Sequence, residues 1–300
     1  MVDSICSTSA PSCVVIGASG YVGSNLVPHL VAEGWRVRAA ARNRAVLEAR
    51  DWQGVELVEA DVLQPATLAE ALEGIQVAFY LVHSMAAGRD FGRLDLEAAE
   101  NFARAAEEAG LQRIVYLGGL VPAESAGEHI DSRRETGDIL RAGCVPVTEI
   151  RAGIIVGPGS AAFEVMRDLV LNLPVMVTPR WVRAKSPPIA LHNLLVYLEQ
   201  VALLPEAAGG VFDAGGAEQC TYEYMMRELA IAVGKRPPWI IPVPVLSPGL
   251  SSYWLGLVTA VPANIARALI GGLKHDFVAD DKALHALVPQ ELLDVRAAIE

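Results

Sequence analysis

Residues 13–23 read Cys-Val-Val-Ile-Gly-Ala-Ser-Gly-Tyr-Val-Gly. A short apolar run, 14–16, enters a turn that carries Gly17, Gly20 and Gly23. Behind the turn, 21–33 predicts a helix with Val22, Leu26 and Leu30 on one face. Glycines at this spacing answer a phosphate problem. One lets the strand turn sharply, one lets the backbone approach a pyrophosphate, and one lets helix and strand pack closely. The helix start then offers unpaired N–H groups and a partial positive charge to the anion. A glycine triplet alone says little, but one that follows a strand and opens a helix predicts a dinucleotide site.

Working outward, 35–40 predicts a second strand that ends in Ala41-Arg42-Asn43-Arg44. A site for NAD(H) would carry an acidic residue here for the ribose 2′-hydroxyl, whereas arginine suits a 2′-phosphate. NADP(H) is therefore expected over NAD(H), with Arg42 and Asn43 as candidate contacts. A solvated basic turn is the plainer reading. A third strand, 55–59, leads to Asp61 and Val62. The carboxylate either accepts from an adenine amino group or serves as a cap near a helix starting around Pro65. A fourth strand, 77–82, ends at His83, placed to touch cofactor or substrate, or to serve as a structural histidine. A helix over 91–109 puts Leu94, Ala98, Phe102, Ala105 and Ala109 on one face and is closed by Gly110. A fifth strand follows at 113–117. Strands alternating with helices, without hairpin signals, predict parallel strands joined by helical crossovers.

In the second half, 132–142 predicts a helix stopped by Gly143, and 147–150 a sixth strand. The loop 151–159 ends in Gly157-Pro158-Gly159, rigid and on the ligand side. Residues 160–172 predict a helix that turns Phe163, Met166, Val170 and Leu173 towards one cleft. Beyond Pro174 the segments are short and Pro-rich, with helices expected near 192–203 and 222–233 around a strand at 211–213. The expected architecture is α/β: a Rossmann-like, doubly wound parallel sheet with a small C-terminal substrate lobe. Its divisions are a loose tail over 1–12, a nucleotide domain over 13–158, and the lobe over 159–300, partly interleaved with the sheet.

Composition narrows the partners. With 300 residues, 52% apolar and 20% charged, the chain has material for a sizeable core. A net charge of −11 provides no basic field for nucleic acid. Cys6, Cys13, Cys144 and Cys220 are scattered and form no CxxC pair, as expected of free thiols in a reducing cytoplasm. No metal site is assigned. Residues 1–12 lack the basic and apolar regions of a signal peptide. The stretch 237–266 holds no charged residue, yet prolines interrupt it. It predicts a cap over an apolar pocket, with shallow membrane contact as the other reading.

With these residues in view, the chain resembles an atypical, extended-type short-chain dehydrogenase/reductase of the NmrA-like, NAD(P)H-binding branch. The glycine turn at 17–23, Asp61-Val62, residues 80–84, residues 114–119 and the 151–159 loop carry the resemblance. Residues 174–181 and 251–254 support it. It implies a sheet of about seven parallel strands. Gly17, Ser19, Gly20, Tyr21 and Val22 would hold the pyrophosphate, Arg42 the adenosine phosphate, and Asp61 with Val62 the edge of the adenine. The family's reductases place a serine at the end of the fifth strand and a Tyr-x-x-x-Lys pair after it. Here Gly118 and Gly119 occupy the serine region, and the pair reads His129-Ile-Asp-Ser-Arg133. Histidine can exchange a proton near neutral pH, and arginine can grip a ribose but cannot be deprotonated.

Two functions follow as expectations. The first is an NADPH-dependent reductase of a small, apolar carbonyl or enone, with His129 as proton donor and Arg133 as clamp. The second is an NADP(H)-binding redox sensor that acts through a protein partner. A membrane-associated assembly factor is a third, weaker reading.

Overall fold

The apolar runs around the glycine turn form β1 (Ser12–Ile16), β2 (Arg36–Ala41) and β3 (Glu56–Glu59), separated by α1 (Tyr21–Ala32) and α2 (Arg44–Glu48). Next come α3 (Leu68–Leu72), β4 (Val77–Tyr80), α4 (Phe91–Glu108), β5 (Arg113–Gly119), α5 (Glu128–Ala142) and β6 (Val147–Ala152). The second half begins with β7 (Ile155–Val156), α6 (Ala161–Asn172), β8 (Val175–Pro179), β9 (Lys185–Ser186) and β10 (Ile189–Ala190). It continues with α7 (Leu191–Leu203), β11 (Val211–Ala214), β12 (Cys220–Thr221), α8 (Tyr222–Ala232) and β13 (Trp239–Val243). Last are α9 (Lys282–Leu287) and α10 (Val295–Ile299). This computed structural model describes residues 10–83, 91–122, 128–243 and 275–300, without the side chains of Phe91, Glu128, His129 and Trp181.

Seven strands form one sheet in the order β3-β2-β1-β4-β5-β6-β11, every neighbouring pair parallel. The order reverses between β1 and β4. In an open parallel sheet that reversal opens a crevice outside the carboxyl ends of the strands. β11 comes from far along the chain and still completes this sheet by pairing with β6.

Helices cover both faces. Leu26 and Leu30 of α1 and Leu194 and Leu198 of α7 pack on one side with Val15 and Phe79. Leu68, Phe102 and Leu140 pack on the other with Ile16 and Tyr80. In a third core Phe163, Met166 and Val170 of α6 meet Met225, Met226 and Leu229 of α8.

The structure corrects several expectations. Phe163, Met166 and Val170 do not face a cleft: α8 covers them, and Leu173 packs at the edge of the same cluster. Periodicity finds an apolar face but not its cover. Ser12 is the first residue of β1 and is 3% exposed, so it does not belong to a loose tail. The buried face of α4 is Asp95, Ala98, Ala99, Phe102 and Ala106, turned by about one residue from the expected one. α5 starts four residues before Ser132, and β5 and β6 run two residues further than expected.

The uncharged stretch enters the structure as β13, paired with β8. Met176 points inward, while Val175, Val177, Trp239 and Ile241 lie on the exposed side, Trp239 at 75%. The rest of that expected cap or membrane-contact stretch, 244–266, with residues 251–254 in it, lies outside the described residues.

Candidate functional site

The glycine turn sits at the switch point. Gly17 has φ +90, a conformation open to glycine and costly for other residues, and a Cβ there would lie 3.1 Å from the Leu81 carbonyl oxygen. Its amide and that of Ala18 both donate to the Ala40 oxygen at 3.1 Å, which ties the turn to β2. Gly20 occupies the N-cap of α1 and brings no side-chain cap. The first amides of that helix are thus left to an outside acceptor. A Cβ on Gly20 would meet only the Gly17 oxygen, at 3.3 Å. The backbone is bare where a phosphate would approach, so the residues present fit a dinucleotide.

A cavity of about 350 Å³ opens from this turn across the ends of β4, β5 and β6. Gly17, Gly20, Tyr21 and Val22 line one end, and Leu81, Val82 and His83 follow β4. Leu117, Gly118, Gly119 and Leu120 continue β5, with Ile130 and Arg133 above them from α5. Ile154, Ser160, Ala161, Ser186, Tyr222 and Phe277 close the far side. The wall is mostly apolar with a few convergent polar groups, the usual make-up of a small-molecule site.

Tyr21 packs over the end of the 151–159 loop. A Cβ on Gly157 would lie 2.5 Å from its hydroxyl, and Gly159 at φ +93 passes against its ring. The hydroxyl is buried, and burial with nearby Glu164 pushes its pKa up to about 12.

His83 and Asp95 form a pair, Nδ1 to Oδ2, at 2.7 Å. Ser132 Oγ donates to the same oxygen at 3.1 Å. Arg133 donates from Nη2 to the Leu117 carbonyl at 2.6 Å. A Cβ on Gly119 would lie 3.2 Å from the Arg133 Nε, so the guanidinium lies where a serine side chain would point. Gly118 makes room for another group. Glu149 is fully buried behind it, paired with Arg141 and, at 2.8 Å, with Arg151.

The remaining expected residues sit outside the cavity lining. Arg42 is exposed at the end of β2, beside the turn. Asn43 caps α2, its side chain accepting from the Ala45 amide at 3.0 Å. Asp61 is held locally, accepting from the Leu63 amide at 3.0 Å and from Gln64 at 3.3 Å just before the helical turn at Pro65–Thr67, which has no side-chain cap. The Val62 side chain is buried in the core, and Ser19 is exposed at the turn. The side chain of His129 lies outside the described residues. Sequence reasoning missed Asp95, Ser132 and Glu149. Asp95 had a legible signal, a carboxylate set three and seven residues before Ala98 and Phe102 of an apolar face.

Comparison with known proteins agrees with this geometry. Residues 17–143 match the family described as NAD(P)H-binding. Ceramide reductase of Caulobacter vibrioides is 30% identical over 174 residues, which is 56% of this chain and 54% of that protein. The chain thus aligns with about half the length of that relative, and with less of several others. Among solved structures, the triphenylmethane reductase of Citrobacter sp. superposes with TM-score 0.78 at 20% identity, over 96% of this chain and 98% of that one. The NADPH-dependent quinone oxidoreductase of Escherichia coli, in complex with NADPH, superposes with TM-score 0.76 at 21% identity, again over 96% and 98%. At these identities the two structures establish the fold.

Proposed function

We propose that the protein is an NADPH-dependent reductase, a reading supported by the match of residues 17–143 to the NAD(P)H-binding family and by the fold it shares with the two solved reductases. Its substrate is a small, largely apolar carbonyl or enone. One observation carries this reading: the cavity joins the glycine turn to a mostly apolar chamber in which His83 and Arg133 are polar groups on the wall.

In this reading Gly17, Ser19, Gly20, Tyr21 and Val22 surround the pyrophosphate. Arg42, with Asn43 beside it, meets the 2′-phosphate, and Asp61 with Val62 borders the adenine. NADP(H) is the cofactor, NAD(H) the weaker one. When bound, the reduced nicotinamide supplies a hydride. Arg133 holds the ribose or substrate oxygen near the end of β5, and its bond to Leu117 fixes where it can reach. Residues 13–158 form the nucleotide domain, and 159–300, partly interleaved with the sheet through β11, supply the substrate side. In this reading the protein works in the cytoplasm, and free Cys13, Cys144 and Cys220 are in keeping with a reducing compartment.

The test is direct. Purified protein is mixed with NADPH and a panel of aldehydes, enones and quinones, and the loss of NADPH absorbance is followed. Turnover of a panel member supports the reading, and NADPH binding without turnover of any of them sinks it. The second outcome would favour an NADP(H)-binding redox sensor acting through a protein partner. That alternative rests on Gly118 and Gly119 standing where the family's serine would be.

A further inference from the structure

His83 lies on the cavity wall just past the end of β4. Behind it stands Asp95 of α4, 4% exposed, with its Oδ2 2.7 Å from the His83 Nδ1. Ser132 of α5 donates to that same oxygen, so the carboxylate is fixed from a second element. A buried carboxylate is a strong acceptor and holds the neutral ring in one tautomer, with the proton on Nδ1. The other nitrogen, Nε2, is then the basic one. This is the arrangement in which an oriented imidazole passes a proton.

We infer that His83, oriented by Asp95 and Ser132, is the residue that exchanges a proton with the substrate oxygen in this cavity. The inference rests on the reductase reading and moves the proton-transfer role from His129 to His83. Asp95 and Ser132 are positioning residues.

In reduction, the hydride brings two electrons to the carbonyl carbon and forms a C–H bond as the C=O π bond breaks. The protonated ring of His83 breaks its Nε2–H bond, and that proton goes to the substrate oxygen. The ring is left neutral, the Asp95 carboxylate unchanged, and solvent restores the proton. One carbonyl, one reduced nicotinamide and one proton become one alcohol and one oxidised nicotinamide.

Other cavity-lining groups are less suited. Burial raises the pKa of Tyr21 to about 12 and that of Tyr222 higher still. Arg133 does not deprotonate. Among the described residues, Asp95 on α4 and Arg133 on α5 are charged groups that face His83. Burial and Arg133 lower its pKa, Asp95 raises it, and the net value falls below the usual 6.5. Reduction, which needs the protonated ring, therefore weakens as pH rises through that value, and the reverse oxidation strengthens.

The experiment uses the full chain, ¹⁵N-histidine labelling, NADPH and cinnamaldehyde. NMR of the wild type should show His83 in the Nδ1–H tautomer at neutral pH, with signals that shift when NADPH is added. His83→Gln should lower kcat about 100-fold while NADPH affinity is kept. Asp95→Asn should move the pH midpoint for reduction lower, an effect that a loss of packing alone would not produce. An Nε2–H tautomer in the wild type, or an unchanged kcat in His83→Gln, overturns the inference. If the wild type reduces neither cinnamaldehyde nor any panel member, the reductase reading fails. The Nδ1–H tautomer would then still support the His83–Asp95 pair, and the Nε2–H tautomer would overturn it.

Discussion

A Cβ placed on Gly23 would lie 2.4 Å from the carbonyl oxygen of Gly17 and 2.8 Å from the Cα of Ala18. Both contacts are with backbone, so no side chain can move aside. This is the tightest point between the first helix and the first strand's turn. Gly23→Ala should therefore cost about 1–3 kcal/mol or more, the range for overpacking, read as a fall in the urea midpoint. Gly20→Ala meets one oxygen at 3.3 Å and has φ −73, so the fold should tolerate it. Its cost should instead appear in NADPH affinity, measured by cofactor fluorescence. Equal losses of stability in the two variants would refute the division of roles between these glycines.

Arg42 tests cofactor choice. It is exposed at the end of β2, where a 2′-phosphate would lie if the site takes NADP(H). Losing a charge-assisted hydrogen bond there costs about 1.5–3 kcal/mol. Arg42→Ala should weaken NADPH binding by about one to two orders of magnitude and leave NADH binding nearly unchanged. Parallel titrations with both cofactors decide it, and an equal loss for both would remove Arg42 from the 2′-phosphate.

Glu149 tests the core behind the site. It is 0% exposed and lies between Arg141 and Arg151. Removing one member of a buried ionic group leaves uncompensated charge and costs about 3–5 kcal/mol. Glu149→Ala should lose that much in chemical denaturation. A variant as stable as the wild type would mean that the two arginines find water instead.

The cysteines give a chemical map of burial. Burial pushes the thiols of Cys13 and Cys220 up to about 12, so little thiolate forms near neutral pH. Cys144 is exposed, although Glu107 raises its pKa somewhat. Iodoacetamide at pH 8 should label Cys144 in the folded protein and reach Cys13 and Cys220 only after unfolding, as peptide mass spectrometry would report. Prompt labelling of Cys13 would contradict its place in β1.

Much of the fold was legible because parallel α/β structure repeats one signal. An apolar run, a turn and an amphipathic helix recur from residue 13 to about 150, and the strands and longer helices read correctly to within a few residues, while the short helix Arg44–Glu48 went unread. The turn at 17–23 was the clearest part of the site, because steric demands on glycine are local. The helix at 161–172 was legible as a helix and misread in its role. Its apolar face is covered by α8, a partner some 60 residues away. His83 was visible as a histidine at a strand end, but its meaning depended on Asp95 and Ser132, which belong to two separate helices.

The sequence alone determined the strand–turn–helix at 17–23, the parallel alternation that follows and the basic residue after the second strand. Each of these is set by contacts within a few residues, where φ, periodicity and charge act directly. Only the tertiary structure decided which long-range groups meet: β11 closing the sheet beside β6, Glu149 filling the space that Gly118 leaves, and a buried carboxylate behind His83. Those pairings join residues 12 to 62 positions apart, and packing, not local propensity, selects them.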